Sequence, residues 1–116
     1  MLPRRSPKLL PGMKEYDVYL PLHHNDGSAI PPEKIAGVKR ELVDEFGGLT
    51  HFPQQNEGLW KFGGTTFRDQ VVILRVITGE PGKARHFFTR LRGRMQQELE
   101  QESVLIVERD VQIVPD

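Results

Sequence analysis

The stretch Gln70–Thr78, QVVILRVIT, constrains the fold more than any other part of the chain. Val72, Leu74 and Val76 fall on one side of an extended segment, while Val71, Ile73 and Ile77 flank Arg75 on the other. Successive side chains of a strand point to opposite faces, so a strand of this kind needs cover above and below. Neighbouring segments must supply that cover.

Glu15–Leu22 alternates, with Tyr16, Val18, Leu20 and Leu22 opposed to Asp17, Tyr19 and Pro21, the period of a half-buried strand. Pro31-Pro32-Glu33 opens a helix: proline suits the first turn and an early Glu suits the dipole. Ile35, Val38, Leu42, Val43 and Phe46 form its apolar stripe, and Gly47-Gly48 ends it. Leu49–Pro53 reads as a short strand and Gln54–Gly58 as irregular. Within LWKFGGTTFRD, Gly63-Gly64 marks a two-residue hairpin that sets Trp60 opposite Phe67 and Leu59 opposite Arg68. Pro81-Gly82 breaks the next strand, and Ala84, Phe87, Phe88, Leu91, Met95 and Leu99 give a second helix from about Lys83 to Glu102. Val104–Val107 closes the pattern, with Val111–Val114 extending it or adding to it.

The order is β-α-β-β-α-β. Two split βαβ units predict an α+β, ferredoxin-like sandwich: a four-stranded antiparallel sheet, order 4-1-3-2, with two helices on one face. At 116 residues the chain suits one domain, expected over residues 13–116, burying roughly two thirds of its unfolded surface. Residues 1–12, MLPRRSPKLLPG, are basic and proline-rich without the apolar core of a signal peptide, and read as a disordered leader. Met13 stands directly before the first strand and is an alternative start.

Charge and composition exclude several function classes. Sixteen basic residues balance sixteen acidic ones, which argues against a nucleic-acid binder, since phosphate affinity rests on clustered Lys and Arg. The third strand also lacks the aromatics on which RNA-recognition domains of this topology stack bases. No apolar run approaches the ~18 residues of a membrane span. The absence of cysteine removes disulfides, thiolate metal sites and Cys nucleophiles, and suits a cytoplasmic location. Neither GxSxG nor GxxxxGK[ST] occurs.

Histidines draw attention next, because PLHHNDGSAIPPEK, Pro21–Lys34, carries His23 and His24 side by side. The topology sets them at the C-terminal end of the first strand, near Arg68, Asp69 and Ser103. His51 and His86 fall at the opposite end of the sheet. Without HxH, HxxxH or HExxH spacing, no metal site and no cofactor is expected. The segment reads as an exposed connection, ordered by Asx-type turns at Asn25 and Asp26, with Gly27 at positive φ. On that reading, replacing both histidines by alanine costs less than about 1 kcal/mol.

Trp60, Lys61, Arg68 and Asp69 gather on the hairpin arm. Either they form a lid over the His23 end, with Trp60 as a stacking wall and Arg68 as an anion clamp, or they are an aromatic pair and a surface ion pair stiffening an edge. Helix two is split, with Lys83, Arg85, Arg90, Arg92 and Arg94 before Glu98, Glu100 and Glu102, against the macrodipole at both ends. Its basic start would suit an anion, or the whole face is simply solvated.

The sheet face away from the helices would expose Val71, Ile73 and Ile77 around Arg75, a patch that monomers rarely tolerate. The expectation is a homodimer through that face, as in dimeric α/β barrels, with Arg75 paired to a carboxylate such as Asp17. The functional expectation is a non-catalytic small-ligand-binding or interaction module, with Trp60, Arg68 and Asp69 meeting a small anionic ligand. The alternative is a cofactor-free enzyme of the dimeric barrel kind acting on a small organic acid, with His23 or His24 as general base.

Overall fold

The computed structural model describes residues 12–101 and 103–115. The expected leader, Gly12 apart, and Glu102 lie outside the described residues. Six elements follow in order: β1 Lys14–Pro21, α1 Pro32–Phe46, β2 Thr50–Phe62, β3 Thr65–Thr78, α2 Pro81–Glu98 and β4 Leu105–Asp110. The strands form one antiparallel sheet in the order β2-β3-β1-β4. Counted from the β4 edge, the same neighbours read 4-1-3-2.

One face of this sheet carries the core. Tyr16, Val18 and Leu20 of β1 and Val72, Leu74 and Val76 of β3 pack in one cluster with Val38 and Leu42 of α1 and with the α2 stripe from Ala84 to Met95. Both helices therefore lie on that face. Aromatic rings knit it together: Tyr16 stacks on Phe88 with centroids 4.5 Å apart, and Phe46 stacks on Phe88 while meeting Phe87 edge-on. Val43, placed on the α1 stripe by spacing alone, is instead 44% exposed. Gly47 ends α1 in the left-handed region at φ 84°, its N–H donating to the Val43 carbonyl at 2.8 Å.

Two boundaries differ from the sequence expectation. The short strand and irregular stretch after α1 are one continuous strand, β2, that slips register: between Phe52 and Asn56 its partner moves only from Ile73 to Val71. Pro53 falls in the slip. Because β2 is an edge strand, a residue without an N–H displaces the ladder there without ending it. Helix α2 stops at Glu98, short of the expected Glu102, because Glu100 turns to a positive φ of 52°. At the C-terminus, β4 runs through Asp110, and Val111 donates back to the Met13 carbonyl at 3.2 Å without forming the further strand.

Three of the basic residues of α2 are paired inside the chain. Lys83 pairs with Glu45 and Arg94 with Glu41 on the antiparallel α1, while Arg85 reaches Glu108 on β4.

Beyond the core the β2–β3 hairpin continues as an arm. Gly63 and Gly64 turn it with φ of 60° and 81°, both left-handed as a type I′ turn requires. The register pairs Trp60 with Phe67, Leu59 with Arg68 and Gly58 with Asp69, so Trp60, Phe67, Gly58 and Asp69 share the arm face continuous with the open side of the sheet.

Candidate functional site

The open sheet face and the arm meet at the C-terminal end of β1, and a cavity of about 600 Å³ lies there. Its floor is the loop after β1, through His23, His24, Asn25 and Gly27. The arm supplies one wall, with Trp60, Phe62, Phe67 and Asp69 on one of its faces and Lys61 and Arg68 on the other. Gln101, Ser103 and Leu105, between α2 and β4, form the other. His23, His24, Trp60, Arg68 and Asp69, singled out in the sequence, all line it.

The loop is fixed by its own chemistry. Asp26 Oδ1 accepts from the Ser28 N–H at 2.9 Å and from the Ser28 hydroxyl at 2.6 Å, an Asx turn that holds the Asp26 carboxyl below its ordinary value. Gly27 sits at φ 91° and its N–H donates to the His24 carbonyl. His23 and Ala29 bridge across the turn.

His24 does more than the sequence suggested. Its Nδ1 donates to the Leu99 carbonyl at 2.8 Å, where α2 ends. Gln101 Nε2 donates to the His23 carbonyl at 2.8 Å and to Leu99 at 3.2 Å, and Lys34 Nζ donates to Glu98 at 2.7 Å. These three side chains satisfy carbonyls that a helix C-terminus leaves open. The loop and the end of α2 are thus stapled into one rigid rim, with the lone pair of His24 on Nε2. Gln101 is buried and was missed in the sequence: a glutamine just past an apolar stripe carries no signal of a long-range role.

Asp69 is the half-buried charge of the cavity. Burial pushes its carboxyl above the ordinary value, against the opposing effects of the Gln70 N–H donating to Oδ1 at 2.9 Å and of nearby His23. Arg68 does not pair with Asp69. It turns to Glu57 across the arm, Nε to Oε2 at 3.2 Å, and is 75% exposed at the rim.

His51 and His86 stand apart from this cavity. His51 lies on β2 beside Lys39, and burial holds its imidazole below the ordinary value. His86 borders a shallow groove with Lys14, Arg85 and Glu108. Among the described residues no three His, Asp or Glu side chains come together as a metal site.

Comparison with known proteins adds a fold. No family model matches the chain, and no curated protein gives a significant match. Among solved structures it is similar to a phage SAM lyase in complex with S-methyl-5′-thioadenosine, with a TM-score of 0.62 and 14% sequence identity over 85% of this chain and 81% of that one. A likeness at that identity concerns the fold alone.

Proposed function

We propose that this chain is a non-catalytic small-ligand-binding domain, built on a ferredoxin-like sandwich and working as a homodimer. One observation carries the reading: His23 of the β1 loop and Trp60 and Asp69 of the arm converge on a cavity of about 600 Å³ with an aromatic wall and polar groups around it. That size and lining suit a small organic molecule. The phage SAM lyase of similar fold, solved with S-methyl-5′-thioadenosine, supports the same direction.

The dimer is inferred from the open sheet face. Ile73 and Ile77 lie there with Arg75 between them, Leu105 is 55% exposed beside them, and Val71 is already buried. Arg75 is neutralised by Asp17 within the chain, so a second copy could cover this face without stranding a charge. A chain without cysteine suits a reducing cytoplasm.

A second reading is a cofactor-free enzyme of the dimeric α/β barrel type acting on a small organic acid. It is favoured by His23 sharing the cavity with Asp69. His23 is then the base beside Asp69, while the bond of His24 Nδ1 to Leu99 ties that ring to the end of α2.

A thermal-shift screen of small metabolites tests the first reading. A ligand bound only by the native state at about 100 times its Kd adds about 2.7 kcal/mol, several degrees in a domain of this size. A hit that is also consumed, with turnover lost but binding kept in His23→Ala, supports the enzyme instead. A screen without hits defeats both readings. Light scattering at micromolar concentration checks the dimer, and a monomer there removes it.

A further inference from the structure

We propose, resting on the ligand-binding reading above, that the cavity takes a planar aromatic or heteroaromatic ring bearing an N–H donor of the amino or amidine type, the ring lying on Trp60 and the donor on Asp69.

The platform comes from a missing side chain. A Cβ placed on Gly58 would stand 2.9 Å from Trp60 Cζ3 and 3.5 Å from Cε3. The six-membered ring of the indole therefore lies down on Gly58, two residues back along the arm, in space that any other residue would fill. Gly58 faces Asp69 across the hairpin and Trp60 faces Phe67, so the indole leans toward the Gly58–Asp69 pair. Trp60 is 43% exposed although it rests on the arm, which leaves its ring free for stacking.

The donor requirement comes from Asp69. Its Oδ1 accepts the Gln70 N–H, while Oδ2 meets no donor and the carboxylate has no cation within 4.0 Å among the described residues. A half-buried carboxylate that accepts one backbone N–H, with only His23 for a nearby charge, is under-satisfied, and a ligand N–H on Oδ2 relieves that cost. The cations of the site, Lys61 and Arg68, are exposed at the rim, and Arg68 is paired to Glu57. The Asp69 acceptor beside the floor histidines, with Lys61 and Arg68 at the rim, fits a ring that enters donor first, any anionic group trailing toward solvent. A cationic head would also gain from the indole face.

Trp60 is the chain's one tryptophan, so its fluorescence reports this wall directly. The full chain is titrated with benzamidine, adenosine and benzoate. Benzamidine and adenosine are expected to quench saturably, and benzoate to bind at least about tenfold more weakly, the loss of one charge-assisted hydrogen bond. Asp69→Ala should erase the preference. Asp69→Asn, which keeps the shape and an acceptor for Gln70, should reduce it and covers the case in which the alanine variant fails to fold. Gly58→Ala should shift the Trp60 emission and weaken both N–H-bearing probes while leaving the melting temperature nearly unchanged. Preferred binding of benzoate, lost in Arg68→Ala, overturns the inference but leaves the cavity a binding site, now for an anion. Equal affinity for the three probes, or a preference that survives both Asp69 variants, also overturns it. So does the absence of quenching by benzamidine and adenosine; only if the metabolite screen is empty as well does the binding-domain reading fall with it.

Discussion

Arg75 grips Asp17 with two parallel hydrogen bonds, Nε to Oδ1 at 2.8 Å and Nη2 to Oδ2 at 2.9 Å, across directly opposed positions of β3 and β1. Asp17 is 1% exposed although it lies on the face without helices, because Arg75 and Arg109 fold over it. Arg75 in turn lies over the Phe52 ring at 4.9 Å. Replacing Arg75 by leucine should cost about 2 kcal/mol, the scale of hydrogen bonds to a charged group, with Arg109 limiting the loss. Asp17→Ala, which removes the carboxylate shared by both guanidinium groups and leaves them to Glu15, should cost more. Urea unfolding midpoints at neutral pH check the order.

Acid should weaken the fold through Asp17 and Glu108. Burial opposes the charge of Asp17, yet hydrogen bonds from Arg75 and Arg109 outweigh it and hold the carboxyl below its ordinary value. Glu108, hydrogen-bonded by Arg85 and then by Tyr16, is lowered from 4.5 to about 2. A carboxyl depressed in the folded state binds fewer protons there than in the unfolded chain. Its contribution is therefore full above the ordinary carboxylate range and lost as pH falls toward about 2. Unfolding midpoints measured from neutral pH downward should fall through that window, and Glu108→Gln should flatten the slope.

Base should act through Tyr16. Burial first, and then its hydrogen bond to Glu108 at 2.5 Å, raise the phenol from 10.0 to about 12. The folded state then holds a proton that the unfolded chain releases, so this contribution is complete below about 10 and is lost as pH rises toward about 12. Phenolate absorbance should reveal one late-titrating tyrosine, absent in Tyr16→Phe.

The adjacent histidines should separate on substitution. His23→Ala is expected to change stability by less than about 0.5 kcal/mol, as at ordinary surface positions. His24→Ala should cost about 1 kcal/mol, because it strips a donor from the Leu99 carbonyl at the negative end of α2. Chemical denaturation of the single variants decides, and equal small effects would reduce His24 to a solvated loop residue.

Much of the framework was legible because it rests on period and punctuation. The alternation of β1, the stripes of α1 and α2, the two-faced QVVILRVIT strand, the short apolar run of β4 and the Gly63-Gly64 turn give six elements and the Trp60–Phe67 pairing. The pairing of Arg75 with Asp17 was also readable, since a lone guanidinium on an apolar strand must be neutralised nearby. What escaped depends on side chains crossing between elements. Proline normally argues against a strand, so the continuity of β2 through Pro53 was hidden by an edge's tolerance for a slipped ladder. The choice of Glu57 over Asp69 by Arg68, the reach of His24 and Gln101 to the end of α2, and the indole resting on Gly58 are tertiary distances with no local pattern.

The arm holds Trp60, Phe62 and Phe67, and none of them belongs to the core cluster under the helices. It joins the sheet through the slip between Phe52 and Asn56, beyond which its aromatic side chains line the cavity. The arm residues that shape what the cavity accepts are therefore not those of the core that keeps the chain folded. Selectivity and stability are encoded in separate segments and can change independently: a chain with a rewritten arm should melt where this one melts and prefer a different guest.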